Sequence, residues 1–164
     1  IAYMPVNLRA EGADEGNVIS LLQVRLASEH DDPLTTLAQI RKASKSTREI
    51  YGGISRSAVQ LYSLAVALLP LGVELTGLDR LLPPAINLVI SNVPGPRRQM
   101  YFRGAAVLEA YPVTTLPPGV ALNMTVGSYA GKLFFGLVSG RSALPDLHRL
   151  TEHLEEAYRA FRDL

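Results

Sequence analysis

His30, His148 and His153 are the only imidazoles in this chain of 164 residues, and it has no cysteine. Imidazole is the side chain best suited to taking up a proton near neutral pH, so general-base or nucleophile-activating chemistry would first be sought at these three. Their settings do not favour it. His30 stands beside Asp31 and Asp32 in a polar stretch and reads as a solvated loop residue. His148 and His153 are five positions apart, which on a helix turns them about 140° from one another and denies them a shared metal ion. No G-x-S-x-G turn is present to lift a serine nucleophile. The absence of cysteine removes thiol catalysis, disulfide frameworks, iron–sulfur clusters and cysteine-ligated zinc.

Phosphate chemistry fares no better. The sequence has neither a Walker-type run nor G-x-G-x-x-G. Gly95 lies between Pro94 and Pro96, which carry no N–H, so this turn cannot offer successive backbone donors. Arg97 and Arg98 follow it and could meet an anion, with a solvated loop as the simpler reading. Sixteen basic against fifteen acidic side chains leave a net charge of +1, no electrostatic ground for a nucleic-acid partner. Taken alone, these residues assemble no catalytic site and no metal site.

The elements that would position them are legible from pattern. With 48% apolar and 19% charged residues the chain has the makeup of one folded domain. Residues 1–8 read as a strand already under way, which suggests a fragment of something longer. A polar turn at 11–16 leads to a strand over 17–26, where Leu22, Val24 and Leu26 alternate with Gln23 and Arg25. Asp31-Asp32-Pro33 opens a helix that should reach about residue 48, an Asp cap followed by Pro in the first turn. Its apolar side holds Leu34, Leu37 and Ala38, and Arg41, Lys45 and Arg48 continue that side as a basic stripe. Gly52-Gly53 breaks it.

A second helix over 55–69 is apolar nearly all round in its latter half, so it is buried or else lies against lipid or a lipid-like ligand. At about 22 Å it falls short of a ~30 Å hydrocarbon layer, which excludes spanning, and Pro70 with Gly72 should end it. A strand over 86–91 runs into a sharp turn at Asn92-Val93-Pro94-Gly95-Pro96. Residues 103–115 read as one irregular strand bent at Pro112. Residues 121–129 and 132–139 form a hairpin about Ala130-Gly131, the first strand with a polar face carrying Asn123 and Thr125, the second apolar on both faces. The last helix begins near Ser142 or Leu144 and keeps Leu147, Leu150, Leu154, Tyr158 and Phe161 on one stripe, as though packed on a sheet. The fold class is α/β, a mixed sheet covered by helices on at least one face.

Several segments resemble one family in order and spacing. They are Val6-Asn7-Leu8-Arg9, Gly16-Asn17-Val18-Ile19-Ser20, Asp32-Pro33-Leu34, the run from Asn87 through Ser91-Asn92-Val93-Pro94-Gly95-Pro96, Leu122 to Tyr129 (Leu-Asn-Met-Thr-Val-Gly-Ser-Tyr), Leu133 to Leu137, and Ala143 to Leu147. Together they resemble the carboxyl-terminal half of the bacterial wax ester synthase and diacylglycerol acyltransferase family. The resemblance covers essentially all of 1–164 and makes them the carboxyl-terminal domain of a two-domain enzyme.

The resemblance implies half of a chloramphenicol-acetyltransferase-like fold, two αβ halves facing across a tunnel. In the family an H-H-x-x-x-D-G motif in the amino-terminal half supplies the base that deprotonates an alcohol for attack on an acyl-CoA thioester. That motif is absent here, as is the family's Asn-Asp pair. The expected partners are therefore that amino-terminal half, acyl-CoA as substrate with no further cofactor, and diacylglycerol or a long-chain alcohol. A cytoplasmic protein held peripherally at a membrane or lipid-body surface follows from those substrates. Candidate substrate-binding residues are Asn92 and Gly95 in the turn, which would shape the tunnel, and Asn123 and Thr125, which would hydrogen-bond where the halves meet. A purely structural turn and an ordinary exposed sheet face predict the same residues. The other function class in play is a non-catalytic lipid-binding or interaction module of the same shape.

Overall fold

The computed structural model describes residues 2–7, 19–26, 28–29, 32–78, 86–117 and 119–162. The polar turn at 11–16, His30, Asp31 and Val18 lie outside them. The described elements run β1 (Ala2–Asn7), β2 (Ile19–Val24), α1 (Pro33–Gly52), α2 (Arg56–Leu75), β3 (Leu88–Val93), β4 (Tyr101–Phe102), β5 (Ala105–Ala106), β6 (Leu122–Tyr129), β7 (Lys132–Ser139) and α3 (Leu147–Arg162). Five strands make one sheet in the order β2-β1-β3-β6-β7. The β1–β3 and β3–β6 pairs are parallel and the β1–β2 and β6–β7 pairs antiparallel, so the sheet is mixed, with α1 and α2 against β2.

Alternation does what the sequence led us to expect along β2 and just past it, where Leu22 and Val24 are buried and Gln23 and Arg25 exposed. The helix start is also as read. Asp32 accepts from the Thr35 N–H at 2.8 Å and from its hydroxyl, and these bonds hold its carboxyl below the usual carboxylate range. The stripe that α1 turns inward differs. Leu34 and Ala38 are exposed, and the half-covered positions are Leu37, Ile40, Ala43, Ser44 and Thr47, whose spacing of three and four keeps one side toward β2. The hydroxyl of Thr47 bonds the Ala43 and Gln23 carbonyls.

Three expectations are corrected. Helix α2 does not end at Pro70 but carries it inside and runs on to Leu75, closing at a Thr76 cap whose hydroxyl bonds the Gly72 and Val73 carbonyls. Proline removes only one helical donor, and the turns on either side hold. Twenty residues give about 30 Å, so the length argument against spanning falls. Among the described residues this is one helix long and apolar enough to cross a membrane by length and composition. Nor is it enclosed. Val59 is buried and Val66 packs on the core of Tyr3, Ile86, Val89 and Val120, while Leu61, Leu64, Leu68, Leu69 and Leu75 lie more than half exposed.

Residues 103–115 are not a strand of the sheet. Arg103 and Gly104 both take left-handed backbone, φ 49° and 84°, and fold the chain into the short β4–β5 hairpin. Beyond it, residues 107–117 join no ladder. Finally, α3 keeps the amphipathic stripe expected of it but buries none of its residues. Leu147, Leu150 and Leu154 are half-covered, and the later part of the stripe is open, with Tyr158 68% exposed.

Candidate functional site

The turn after β3 is pinned to the far end of β6. The Gly95 N–H donates to the Ser128 hydroxyl at 3.1 Å, and the Pro96 carbonyl accepts from the Ala130 N–H at 2.9 Å. A Cβ on Gly95 would strike the Ser128 carbonyl, so the backbone approach requires glycine. Asn92, at the end of β3, is exposed. It stands level with Val126 of β6, and strand alternation therefore puts it on the sheet face opposite Asn123 and Thr125. The four candidate residues do not converge on one point.

Asn123 and Thr125 are 6% and 1% exposed. Neither faces solvent, because residues 107–117 cross above them. The Thr125 hydroxyl donates to the Asn123 side-chain carbonyl at 3.0 Å, and Thr114 on the crossing segment meets that hydroxyl at 3.3 Å. Thr125 has a single proton, so Thr114 is the donor to it and the chain runs Thr114 to Thr125 to Asn123. The segment is seated by other groups that the sequence alone did not single out. Tyr129, itself buried, takes the Met100 N–H at 2.8 Å and donates to the Val107 carbonyl at 2.7 Å. The Tyr111 ring stands edge-on to Phe134 with centroids 5.2 Å apart. Pro112 crosses Gly127 and Gly136, and a side chain at Gly136 would strike its carbonyl. Glycines inside β6 and β7 were the available signal, since strand glycine marks a close backbone approach.

Among the described residues no titratable groups are buried together. His148 and His153 ride on the exposed side of α3, the latter 3.3 Å from Glu156, and the described residues hold no metal-binding group of three. Burial, then the Tyr62 phenol, raises the Tyr3 phenol. A hydrogen bond to Glu109 raises that of Tyr111. Arg97 and Arg98 are exposed. The chemistry this surface can offer is apolar. An open groove of about 710 Å³ runs along α2 past Tyr62, Val66, Leu69 and Val73. A second, of about 380 Å³, separates α3 from the sheet between Leu122, Leu147 and Leu150.

The family described as "WS/DGAT C-terminal domain" matches residues 15–162. The chain belongs to this family. The domain is 37% identical over 163 residues to the "O-acyltransferase WSD" of Acinetobacter baylyi, covering 98% of this chain and 35% of that protein. It is 37% identical over 160 residues to a Mycobacterium tuberculosis protein named "Probable diacyglycerol O-acyltransferase tgs2", covering 96% and 35%. The solved wax ester synthase/diacylglycerol acyltransferase of Marinobacter aquaeolei VT8 superposes with TM-score 0.73 at 30% identity, over 95% of this chain and 34% of that one. The WS/DGAT domain thus spans about a third of the length of these relatives, and its α/β class is that of the solved enzyme.

Proposed function

We propose that this domain is the carboxyl-terminal part of an acyl-CoA-dependent O-acyltransferase that makes triacylglycerol, wax ester or both. The acceptor is diacylglycerol or a long-chain alcohol. A histidine on another segment, bearing H-H-x-x-x-D-G, takes the hydroxyl proton as the oxygen attacks the thioester carbonyl. The carbon–sulfur bond then breaks and coenzyme A leaves as the thiol once it has regained a proton. Acyl-CoA is a substrate, and the reaction needs no resident cofactor.

The observation that carries the reading is a pairing of likeness and lack. The domain superposes on a third of an enzyme of this chemistry, yet its described polar cluster, Thr114–Thr125–Asn123, contains no group that accepts a proton near neutral pH. Its contribution is one wall of the cleft, with Gly95 and Asn92 shaping the rim and Asn123 and Thr125 holding the crossing segment that lines it. A cytoplasmic, peripheral location at a membrane or lipid-body surface, where such substrates collect, is part of the same proposal, and the exposed leucines of α2 support the contact with lipid. The test is acyl transfer by the complete enzyme, with labelled palmitoyl-CoA offered diacylglycerol or hexadecanol. Ester formation is expected, and its absence with both acceptors overturns the reading.

The apolar groove along α2 favours a second reading, a lipid-binding module without chemistry. A complex with a chain carrying H-H-x-x-x-D-G decides for the enzyme. A monomer that retains acyl chains and finds no such partner decides for the module.

A further inference from the structure

The sheet ends at β7, and that end is unguarded. All eight residues of β7 pair with β6 without a bulge, and no backbone bond from its outer edge reaches a described residue. Proteins usually blunt such an edge with proline, a bulge, an inward charge or a covering element. Here Lys132 is the one charge, at the start of the strand, and Leu133, Phe134, Phe135, Leu137 and Val138 follow it. At the opposite end of the sheet, by contrast, the Thr47 hydroxyl of α1 bonds the Gln23 carbonyl of β2.

The same side of the domain carries open apolar side chains. Leu133 and Phe135 are 62% and 45% exposed, and the register puts both on the face that Leu122 shares. Helix α3 stands over that face, with Leu122 in its groove, and the later part of its stripe is uncovered, Phe161 at 44%. A lipid surface could take these side chains but would leave the peptide groups of the edge without partners, which hydrocarbon penalises heavily. The occupant that fits is another strand.

We propose that β7 pairs antiparallel with β7 of a second copy, joining two five-stranded sheets into one and bringing both α3 helices to the same face. The strand is complementary to itself. A twofold axis through Gly136 sets Phe135 opposite Leu137 on the α3 face and Phe134 opposite Val138 on the other, aromatic–aliphatic pairs of the kind that stabilise sheets. It also sends the two Lys132 side chains to opposite ends, so like charges do not meet. A strand pair covers only part of the roughly 1,200–2,000 Å² that a stable interface buries, and Leu133, Phe135 and the open end of α3 supply more. The proposal concerns assembly and stands independently of the acyltransferase reading.

Sedimentation of the complete enzyme tests it, with Phe135→Lys and Phe135→Glu made separately. The unmodified enzyme should be a dimer at micromolar concentration, and Phe135→Leu should remain one. Each charged variant sets like charges beside the axis and should weaken association about tenfold or more. An equimolar mixture of the two should restore the dimer, because opposite charges then meet there. A variant that merely misfolds cannot be rescued in this way. A monomeric unmodified enzyme overturns the proposal, as do charged variants that stay dimeric and a mixture that stays monomeric. Amide exchange then names the true occupant of the edge. Protection of all β7 amides in a monomer assigns it to the additional polypeptide of the longer enzyme, and protection that appears only with phosphatidylcholine vesicles assigns it to lipid.

Discussion

The hydroxyl chain Thr114–Thr125–Asn123 concentrates the polar stakes of the domain in three side chains. Thr125→Val keeps the shape and strips the donor from a buried Asn123 carbonyl, which should lower stability by about 1–3 kcal/mol. Thermal unfolding of the complete enzyme reads this, and an unchanged Tm would mean that the chain carries no net stabilisation. Gly136→Ala places a methyl group against the Pro112 carbonyl, and either the crossing segment or the β7 backbone must move. We expect a loss of about 2 kcal/mol, read by urea unfolding, because the obstacle is backbone and not a flexible side-chain tip. Asp32 gives a pH dependence with a definite sign. Its carboxyl is more acidic in the folded state than when unfolded, so its help to α1 is complete above the unfolded pKa and drains away as pH falls through the lowered one. Helical circular dichroism should fall over that acid range, and Asp32→Asn should flatten that part of the profile. Sequence alone marked Asn123 and Thr125 as polar positions on a strand. It could not show what covers them, because Thr114 lies eleven positions from Thr125 and arrives there only through Pro112 and the two strand glycines.

At the scale of elements, the five strands of the main sheet, the hairpin about Ala130-Gly131 and the start of α1 were legible because each rests on local pattern: alternation, a turn pair, an Asp cap. Departures come where a distant neighbour decides. Pro70 and Gly72 read as a helix end, yet α2 passes through both to Leu75, and its apolar latter half, read as buried or else lipid-facing, stays open. Beyond the short β4–β5 pairing, residues 107–115 carry strand-forming side chains, and what they lack is a ladder partner among the described residues. Helix α3 has its stripe, and Leu147, Leu150 and Leu154 on it are only half-covered. Exposure of α2 yields a prediction of its own. Leu64→Glu with Leu68→Glu alters two exposed positions and should leave Tm unchanged. Flotation with phospholipid vesicles should fall about tenfold or more, because two exposed leucines available to lipid are replaced by charges. Undiminished flotation would remove α2 from the membrane surface.

At the scale of the molecule, a mixed five-stranded sheet carries apolar groove on α2 and beside α3, a buried polar cluster and no imidazole within that cluster. The acyltransferase we propose divides the labour accordingly: this domain shapes and lines the cleft, and a base on another segment removes the proton. The most direct check is to replace His30, His148 and His153 together by alanine in the complete enzyme and measure acyl transfer from palmitoyl-CoA. The account predicts a rate within about twofold of the unmodified enzyme, whereas a fall of the 10²- to 10⁴-fold size that accompanies loss of a general base would contradict it.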